Sequence, residues 1–518
     1  MGRKSEFLLG ILRSNRLRFP LALAAGVLIW LCSLPPHGLM VFSIVAFIPV
    51  LAALPGEAPG RVAAWGWMGG AAWEFATLWW LIPTIVNYGD IRTPAAVALI
   101  IGMCLVLGLY MAGFLSTMAL LMKFRGRGVL LLAAPAWVLW EWLRGVLFTG
   151  FPWWGPGYGL SVNPGLLQLT RLAGVLGLSF LALLTASAVA LWITDRKHPL
   201  NKVGVPLALV LLTAAFVWGY LKNAEPMKQI PRIRVAYVQP QIPQDKKWSR
   251  DFAENIMKRF ERLTSVFKHY KLKLVVWPES STPFEWDSNA AFRMRVTTLA
   301  AEVKAPILLG SVVSGEGGME NAALLVMPDG SIGGKYAKTH LVPFGEYVPL
   351  RRLLTFAKPL VEAVGEMKPG TGFEPLQTPA GRVGVTICYE GIFPGIVRRQ
   401  VAHGAQILVN MTNDAWYRGT PGPIEHFLIE RVRAVETDRY LVRSANYGVS
   451  GIVTPRGAVE AATTPGEPAS YWGLVEARDT ITPWTRFGNR WLIVLLVIII
   501  AAFIPWKGKA STRRAEEE

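Results

Sequence analysis

One cysteine in the second half of the chain has the surroundings expected of a nucleophile. Cys388 follows an apolar run at 384–387 that predicts a buried strand, and a predicted helix near 393–403 comes after it. The thiol would therefore lie in a strand-to-helix turn, where backbone N–H groups can lower the pKa of a thiol and stabilise an oxyanion. The alternative is a buried structural cysteine that ends a strand.

A thiol nucleophile needs a base and a group that stabilises the oxyanion of the tetrahedral intermediate. Three histidines of the same region could supply the base: His340, His403 and His426. None of them belongs to a recognisable cysteine-protease motif, so a cysteine–histidine pair is one option among others.

A carboxylate and a lysine offer a different set of partners. Glu279 follows the apolar run 272–277, and a proline ends that predicted strand. Lys338 and Glu346 follow another predicted strand. Because active sites of layered α/β folds lie at strand ends, these three side chains are candidate partners of Cys388.

Strands and helices alternate around these residues, which favours an α/β layered domain. The predicted strands are 233–238, 272–277, 306–312, 322–326, 383–387, 407–411, 441–445 and 451–453. The predicted helices are 248–269, 290–303, 394–403 and 425–438. We expect this domain to span 223–488, which is long enough to bury its own core.

The rest of the chain has the composition of a membrane protein. Of its 518 residues, 52% are hydrophobic and 17% charged, and the mean hydropathy is +0.35. Eight apolar runs are each nearly long enough to cross a bilayer: 18–34, 39–53, 62–86, 94–122, 129–147, 172–193, 204–221 and 491–506. We therefore expect seven transmembrane helices in 1–222 and an eighth, with a cytoplasmic tail, in 489–518.

Basic residues predict the orientation of these spans. With a cytoplasmic N-terminus, the inner segments carry 16 Lys and Arg, whereas the short outer loops carry Arg92 alone, with Arg144 and Arg171 near helix ends. Both termini would then be cytoplasmic, and the α/β domain would be extracytoplasmic. Two thirds of the net charge of +18 lies in the apolar regions and their flanks, which argues against nucleic-acid binding.

Some polar and aromatic residues of the apolar region have two possible roles. Glu74, Glu141 and Arg144 could belong to a site or form a structural Glu141–Arg144 pair. Four tryptophans at the outer helix ends are expected to form an interfacial aromatic belt: Trp79, Trp80, Trp153 and Trp154.

The motifs taken together resemble a known superfamily. Strand-Pro-Glu ending at Glu279, Tyr-x-Lys-x-His around Lys338 and Cys-Tyr-Glu beginning at Cys388 are similar, in this order, to the nitrilase or carbon–nitrogen hydrolase superfamily. The run 340–349 and the eight apolar segments resemble, within it, the apolipoprotein N-acyltransferase family. The resemblance covers nearly the whole chain and includes two further runs: 241–248 and 412–416.

The resemblance implies a fold, a reaction and a set of site residues. The fold would be a polytopic helical membrane domain joined to an extracytoplasmic αββα sandwich, located in the bacterial inner membrane with the sandwich in the periplasm. Cys388 would be the nucleophile, Glu279 the general base, and Lys338 the group that stabilises the oxyanion or positions the base. Supporting roles would fall to Glu346, Tyr389, Glu390 and Trp248.

The implied reaction transfers an acyl chain in two half-reactions. A membrane phospholipid, phosphatidylethanolamine, would acylate the cysteine, and the N-terminal S-diacylglyceryl-cysteine of an apolipoprotein would accept the chain. No metal or cofactor is expected, since the six histidines lack zinc-ligand spacing and no dinucleotide or phosphate-loop motif is present. Two rival hypotheses are a membrane-anchored amidase that hydrolyses a small amide, and a transporter or scaffold that does not need Cys388.

Overall fold

The computed structural model describes residues 17–36, 38–226, 230–315, 317–348 and 367–503. Three segments lie outside the described residues: the basic N-terminal segment, the end of the last apolar run and the predicted cytoplasmic tail. Part of the predicted orientation rests on them. The helices are α1 (Arg18–Leu31), α2 (Phe42–Ala53), α3 (Pro59–Leu78), α4 (Leu81–Tyr88), α5 (Thr93–Arg125), α6 (Ala133–Arg144), α7 (Pro156–Leu160), α8 (Pro164–Leu167), α9 (Thr170–Thr194), α10 (Asn201–Ala224), α11 (Arg250–Ser265), α12 (Ala290–Val303), α13 (Pro394–Ala402), α14 (Gly422–Thr437), α15 (Pro483–Phe487) and α16 (Arg490–Phe503).

The apolar half of the chain is helical. Three of its described helices, α5, α9 and α10, are long and apolar enough to cross a membrane, and α1, α2 and α16 are shorter apolar helices. Helix α5 shows how the sequence sets its ends: a proline stands at its start, Lys123 and Arg125 face the negative end of its dipole, and Gly126 ends it at φ +75°.

The second half contains two six-stranded sheets. The strands are β1 (Arg232–Gln239), β2 (Leu274–Val276), β3 (Ile307–Gly315), β4 (Gly318–Val326), β5 (Ile332–Ala337), β6 (Leu376–Thr378), β7 (Gly381–Ile387), β8 (Ile407–Thr412), β9 (Leu441–Ala445), β10 (Gly451–Val453), β11 (Val459–Glu460) and β12 (Ala469–Glu476). The first sheet has the order β12-β1-β2-β3-β4-β5 and the second β11-β10-β9-β8-β7-β6. The central strands β1-β2-β3 and β7-β8-β9 are parallel, so their carboxyl ends lie along one edge of each sheet.

These sheets are the two inner layers of an αββα sandwich. One apolar cluster lies between the sheets and includes Val276, Val385 and Val409. A second packs α11 and α12 on the outer face of the first sheet, and a third packs α13 and α14 on the second sheet. The predicted α/β layers and all eight predicted strands are confirmed. Strand β12, which the sequence did not predict, pairs with β1 along its full length.

The sandwich packs directly on the helical half. Residues of α14 and of the segment after β7 belong to the same apolar cluster as residues of the helical half. Hydrogen bonds join the two parts at several helix ends: Thr84 to Trp416, Trp153 to Glu425, Gln168 to Arg456 and Val175 to Glu436. One face of the sandwich is therefore covered by the helical region.

The expected aromatic belt is wrong for three of its four tryptophans. Trp80, Trp153 and Trp154 are buried inside the protein instead of lying at its edge, and the first two contact residues of the sandwich. Arg144 pairs with Glu74 at 2.8 Å and not with Glu141. It also donates to the carbonyl oxygens of Trp153 and Trp154, so this buried cation holds the loop that carries them.

Close packing of α3 against α5 depends on two glycines. A Cβ added at Gly70 would lie 2.6 Å from Met111 Cβ, and one added at Gly108 would lie 2.6 Å from the Ala71 nitrogen. We expect Gly70→Ala and Gly108→Ala each to destabilise the helical region by about 1–3 kcal/mol, because a well-packed contact must open. Thermal unfolding in detergent measures the effect.

Gly102, which lies on α5 with Gly108, provides the matched control. An added Cβ there meets nothing within 4 Å, so Gly102→Ala should leave the unfolding temperature unchanged or raise it slightly through helix propensity. Equal unfolding temperatures for the Gly70→Ala and Gly102→Ala proteins would contradict the close approach.

Candidate active site

The predicted triad converges where strands of both sheets end. Glu279 follows β2, Lys338 follows β5 and Cys388 follows β7, and all three side chains are buried. Lys338 is 3.4 Å from Glu279, and both residues lie within electrostatic range of the Cys388 thiol. The structure therefore brings the three predicted residues into one site between the sheets.

Cys388 occupies a strained turn. Its φ of +51° lies in the left-handed region, which costs a non-glycine residue about 1–3 kcal/mol and usually accompanies function. The residue begins a 3-10 turn, Cys388–Ile392, that joins β7 to α13. Asn410 on the neighbouring strand β8 donates to the Cys388 carbonyl oxygen at 3.3 Å. The sharp turn is what separates the thiol from its strand and places it at the sheet edge.

Glu390 holds this turn to the segment that carries Lys338. Its carboxylate accepts hydrogen bonds from the Ile387 N–H at 2.8 Å and from the Thr339 N–H at 2.7 Å. The same carboxylate accepts from the Tyr336 hydroxyl and the His340 N–H. Because Glu390 is fully buried, these donors replace the water that its charge would otherwise require. Glu390 thus sets the position of the Cys388 turn relative to Lys338.

Lys338 lies between two carboxylates. Its Nζ is 3.0 Å from Glu346 Oε1 and 3.4 Å from Glu279 Oε1. Asn321 donates through Nδ2 to the same two oxygens, at 3.0 and 2.8 Å. Burial lowers the pKa of Lys338, but the two carboxylates outweigh burial and raise it above the ordinary lysine value. Lys338 therefore stays charged and holds Glu279 in place.

The raised pKa of Cys388 indicates a neutral resting thiol, although backbone N–H groups at a strand-to-helix turn can lower the pKa of a thiol. Burial raises the pKa of Cys388 well above the ordinary thiol value, Glu279 raises it further, and Lys338 offsets only part of this increase. A neutral buried thiol needs a base at the moment of attack, and Glu279 is a carboxylate within electrostatic range of it. The geometry fits general-base activation better than a preformed thiolate.

The other predicted residues lie at different distances from the triad. Glu346 belongs to the Lys338 cluster, as described. Tyr389 is buried, with its ring 4.9 Å from the Phe393 ring and 6.5 Å from that of Phe151 in the helical region. Trp248 is 45% exposed and does not join the hydrogen-bond network of the triad.

The three histidines considered as bases have other environments. The ring of His340 packs on Phe393, and burial followed by the charge of Lys338 lowers its pKa to about 4. His403 lies beside Glu374, and His426 lies beside Asp414 and Glu430. In the described part of the chain none of the three hydrogen-bonds to Cys388, so the geometry favours the carboxylate.

Sequence reasoning missed three residues of this region. Asn321 bridges the carboxylates, and its signal is a polar residue at the start of the apolar run 322–326. Lys247 is 4% exposed and donates through Nζ to the Glu279 carbonyl oxygen at 3.0 Å. Asn410 is a polar residue inside the apolar strand β8. The described residues contain no group of three or more His, Cys, Asp or Glu that could hold a metal ion.

The charge of Glu279 should have a measurable effect on the pKa of the Cys388 thiol. Because the carboxylate raises the pKa of Cys388, Glu279→Gln should lower it and allow Lys338 to favour the thiolate. We expect alkylation of Cys388 by iodoacetamide, followed by peptide mass spectrometry from pH 6 to 10, to begin to rise at lower pH in the variant than in the native protein.

The exposed carboxylate Glu285 provides the control, and Glu285→Gln should leave the profile of the native protein unchanged. An alkylation profile that does not shift in Glu279→Gln, or that shifts to higher pH, would show that Glu279 does not face the thiol as described.

Two family profiles and one solved structure are similar to parts of this chain. The carbon-nitrogen hydrolase profile matches residues 234–470, and the profile of the apolipoprotein N-acyltransferase N-terminal domain matches residues 25–188. The carbon-nitrogen hydrolase of Helicobacter pylori has 19% sequence identity, covers 51% of this chain and 94% of its own, and gives a TM-score of 0.37.

Two curated relatives align over almost their whole length. The apolipoprotein N-acyltransferase of Geobacter metallireducens is 34% identical over 498 residues, which are 93% of this chain and 94% of that protein. That of Rhizobium etli is 32% identical over 515 residues, again 93% and 94%. With its helical membrane region, its two-sheet sandwich and these relatives, the chain belongs to the apolipoprotein N-acyltransferase family.

Proposed function

We propose that the protein transfers an acyl chain from a membrane phospholipid to an apolipoprotein through a thioester on Cys388. The acceptor is the α-amino group of the N-terminal S-diacylglyceryl-cysteine, and the reaction completes lipoprotein maturation. The observation that carries the proposal is the buried triad: a neutral thiol in a strained turn, with Glu279 and Lys338 within electrostatic range. Family membership supports the choice of substrates.

The first half-reaction acylates the enzyme. Glu279 accepts the thiol proton while Cys388 Sγ attacks an ester carbonyl of the phospholipid, and the oxyanion forms near the ammonium group of Lys338. The intermediate collapses, the ester C–O bond breaks, and the leaving oxygen of the lysophospholipid takes the proton from Glu279. The thioester remains on Cys388, and Glu279 is ionised again.

The second half-reaction transfers the chain. The neutral α-amino group attacks the thioester carbonyl, Glu279 accepts a proton from the nitrogen, and Lys338 again lies near the oxyanion. The C–S bond breaks as the amide forms, and the sulfur takes the proton back. The same carboxylate therefore acts once as base and once as acid in each half-reaction.

The supporting residues act through the triad in this proposal. Glu346 balances Lys338 and fixes its ammonium group near Glu279. Glu390 joins the Cys388 turn to the Lys338 segment, and Tyr389 packs this turn against Phe151 of the helical region. Trp248 is exposed, which suits contact with a substrate more than support of the core.

The membrane organisation is proposed as 1–222 with seven transmembrane helices, 223–488 as the catalytic sandwich, and 489–518 with the eighth helix and a tail. Contacts between helix ends support an arrangement in which successive spans run in opposite directions, so that all predicted inner ends lie on one side of the helical region. Several of the ends predicted to be outer contact the sandwich, as described above. Three contacts join ends predicted to be inner: Arg18 to Ala53, Arg125 to Phe503 and Arg127 to Thr194.

The excess of basic residues on the inner segments supports the sidedness. We propose that both termini are cytoplasmic, that the sandwich is periplasmic and that the protein resides in the bacterial inner membrane. Phosphatidylethanolamine is the proposed donor, as the family resemblance implies. This arrangement places the thiol on the side of the membrane where it would meet both lipid substrates.

The chemistry predicts how products depend on Cys388 and on the acceptor. Wild-type protein with phospholipid alone should release about one equivalent of lysophospholipid and then stop, because the thioester persists. Adding a diacylglyceryl-cysteine peptide should restart release, with one amide formed for each lysophospholipid. Cys388→Ala should abolish both products, and Cys388→Ser should acylate slowly and keep its less reactive ester. Lysophospholipid and amide are quantified by mass spectrometry.

Cys104 supplies the control thiol, and Cys104→Ala should keep both products. Steady release of lysophospholipid without acceptor would mean that water is the second substrate, as in the amidase hypothesis. Full turnover by Cys388→Ala would support a role that does not use the thiol.

The proposed orientation predicts the accessibility of a sandwich residue. A cysteine introduced at Gly372, an exposed residue between β5 and β6 where an added Cβ meets nothing within 4 Å, should react in intact spheroplasts with a membrane-impermeant thiol reagent, because that residue would face the periplasm. A cysteine at Arg125 should react only after the membrane is permeabilised. Labelling in the reverse pattern would contradict the orientation.

A further inference from the structure

Lys247 is a second buried lysine beside the triad, with no part in the mechanism above. It follows the short 3-10 turn Gln244–Lys246, and its side chain is almost completely buried. A buried ammonium group is costly unless hydrogen bonds and opposite charge compensate for the lost water. Its position therefore needs a specific partner.

That partner is Glu279. Lys247 Nζ donates to the Glu279 carbonyl oxygen at 3.0 Å. A small cavity of about 10 Å³ lies beside the ammonium group, and its polar lining consists of Glu279, Ser280, Ser281 and Asn446. Glu279 is the one acidic residue in that lining. The thiol of Cys388 also lies within electrostatic range of Lys247.

The segment that carries Lys247 is anchored to the second sheet. Asn446, after β9, accepts from the Ile242 N–H and donates to the Ile242 carbonyl oxygen, each at 2.8 Å. Asn413, after β8, donates to Gln244 Oε1 at 2.6 Å. Lys247 therefore connects a segment held by the second sheet to a glutamate held by the first, across the site.

The turn that Lys247 contacts is itself strained. Ser280 has a φ of +45°, and the turn lies against Gly310, where an added Cβ would come within 2.7 Å of Glu279 Cα. The Ser281 N–H donates to the Gly310 carbonyl oxygen at 2.8 Å on the far side. Lys247 and Gly310 thus hold the backbone of Glu279 from two directions.

The net charge of the site gives Lys247 a second role. Glu279 and Glu346 as carboxylates and Lys338 as an ammonium group sum to one negative charge. Protonated Lys247 makes the sum zero. Without that charge, a net negative site would oppose the oxyanion and make the thiol proton harder to remove.

We propose that Lys247 is a positioning residue for acyl transfer, which holds the Glu279 backbone and neutralises the site while negative charge moves from the carboxylate to the oxyanion. The inference rests on the proposed function. It adds a further charged residue on which acylation depends, carried by a segment that the triad motif does not contain.

A pH dependence follows from the geometry. Burial lowers the pKa of Lys247 to about 8, although Glu279 and Cys388, the two ionisable groups that face it, raise the pKa. The ammonium group is protonated below that pKa and loses its charge as the pH rises through it. The rate of Cys388 acylation should therefore fall above about pH 8.

The experiment measures the single-turnover burst of lysophospholipid from pH 6 to 10 for four proteins: wild type, Lys247→Met, Lys247→Arg and Lys246→Met. Lys246 is the exposed neighbour, 4.7 Å from the Phe252 ring, and serves as the matched control. Thermal unfolding of each variant in detergent verifies folding.

We expect Lys247→Met to slow acylation roughly 10²-fold, the cost of a misplaced catalytic group, with little change in the KM for phospholipid. Its rate should no longer fall near pH 8. Lys247→Arg should recover much of the rate and retain it to higher pH, because arginine keeps its charge. Lys246→Met should match the wild type throughout.

A Lys247→Met protein with wild-type rate and pH profile would overturn the inference. If that variant does not fold, the wild type and Lys247→Arg test the inference. A wild-type acylation rate that does not fall near pH 8 would overturn it. A rate that falls at the same pH in Lys247→Arg as in the wild type would also overturn it. A wild-type protein that forms no acyl-enzyme at all would instead contradict the proposed function, so the two failures are distinguishable.

Discussion

Lys338 holds two carboxylates from different parts of the chain around one ammonium group, 3.0 Å from Glu346 and 3.4 Å from Glu279. Removing one partner from a buried ion pair typically costs about 3–5 kcal/mol, because the remaining charge has neither water nor a counterion. Without Lys338 the two carboxylates would face each other across Asn321 and separate. The position of Glu279 relative to Cys388 depends on this contact.

The same site is tied to the membrane region through the nucleophile. The turn that begins at Cys388 contributes Tyr389, Ile392 and Phe393 to the apolar cluster of the helical half. Glu390, in the middle of that turn, binds the Lys338 segment. A chain of packed and hydrogen-bonded residues therefore runs from the apolar helices to the triad, which suits the proposed transfer between two substrates anchored in the membrane.

Local pattern predicted the fold and much of the site, whereas the environment of each charge depends on residues distant in the chain. Runs such as 383–387 and 407–411 predict strands because they are short, mostly apolar and bounded by glycine or polar residues, and polar residues at their ends mark the site. Lys247 lies in a polar run with no sign of burial, and only the crossing of the two sheets encloses it. The burial of Trp153 could not be predicted either, since its partner Glu425 is 272 residues away. The neutral state of Cys388 follows from burial and from Glu279, and neither effect is visible in the spacing.

In the proposed reaction Cys388 carries the acyl chain with the help of Glu279 and Lys338. Peptide mass spectrometry of the full-length protein, incubated with phospholipid and no acceptor, measures this step directly. We expect one acyl adduct on the Cys388 peptide of the wild type, removed by hydroxylamine or by a diacylglyceryl-cysteine peptide, and no adduct in Glu279→Gln or Lys338→Met. An adduct on another residue, or a normal adduct in either variant, would contradict it.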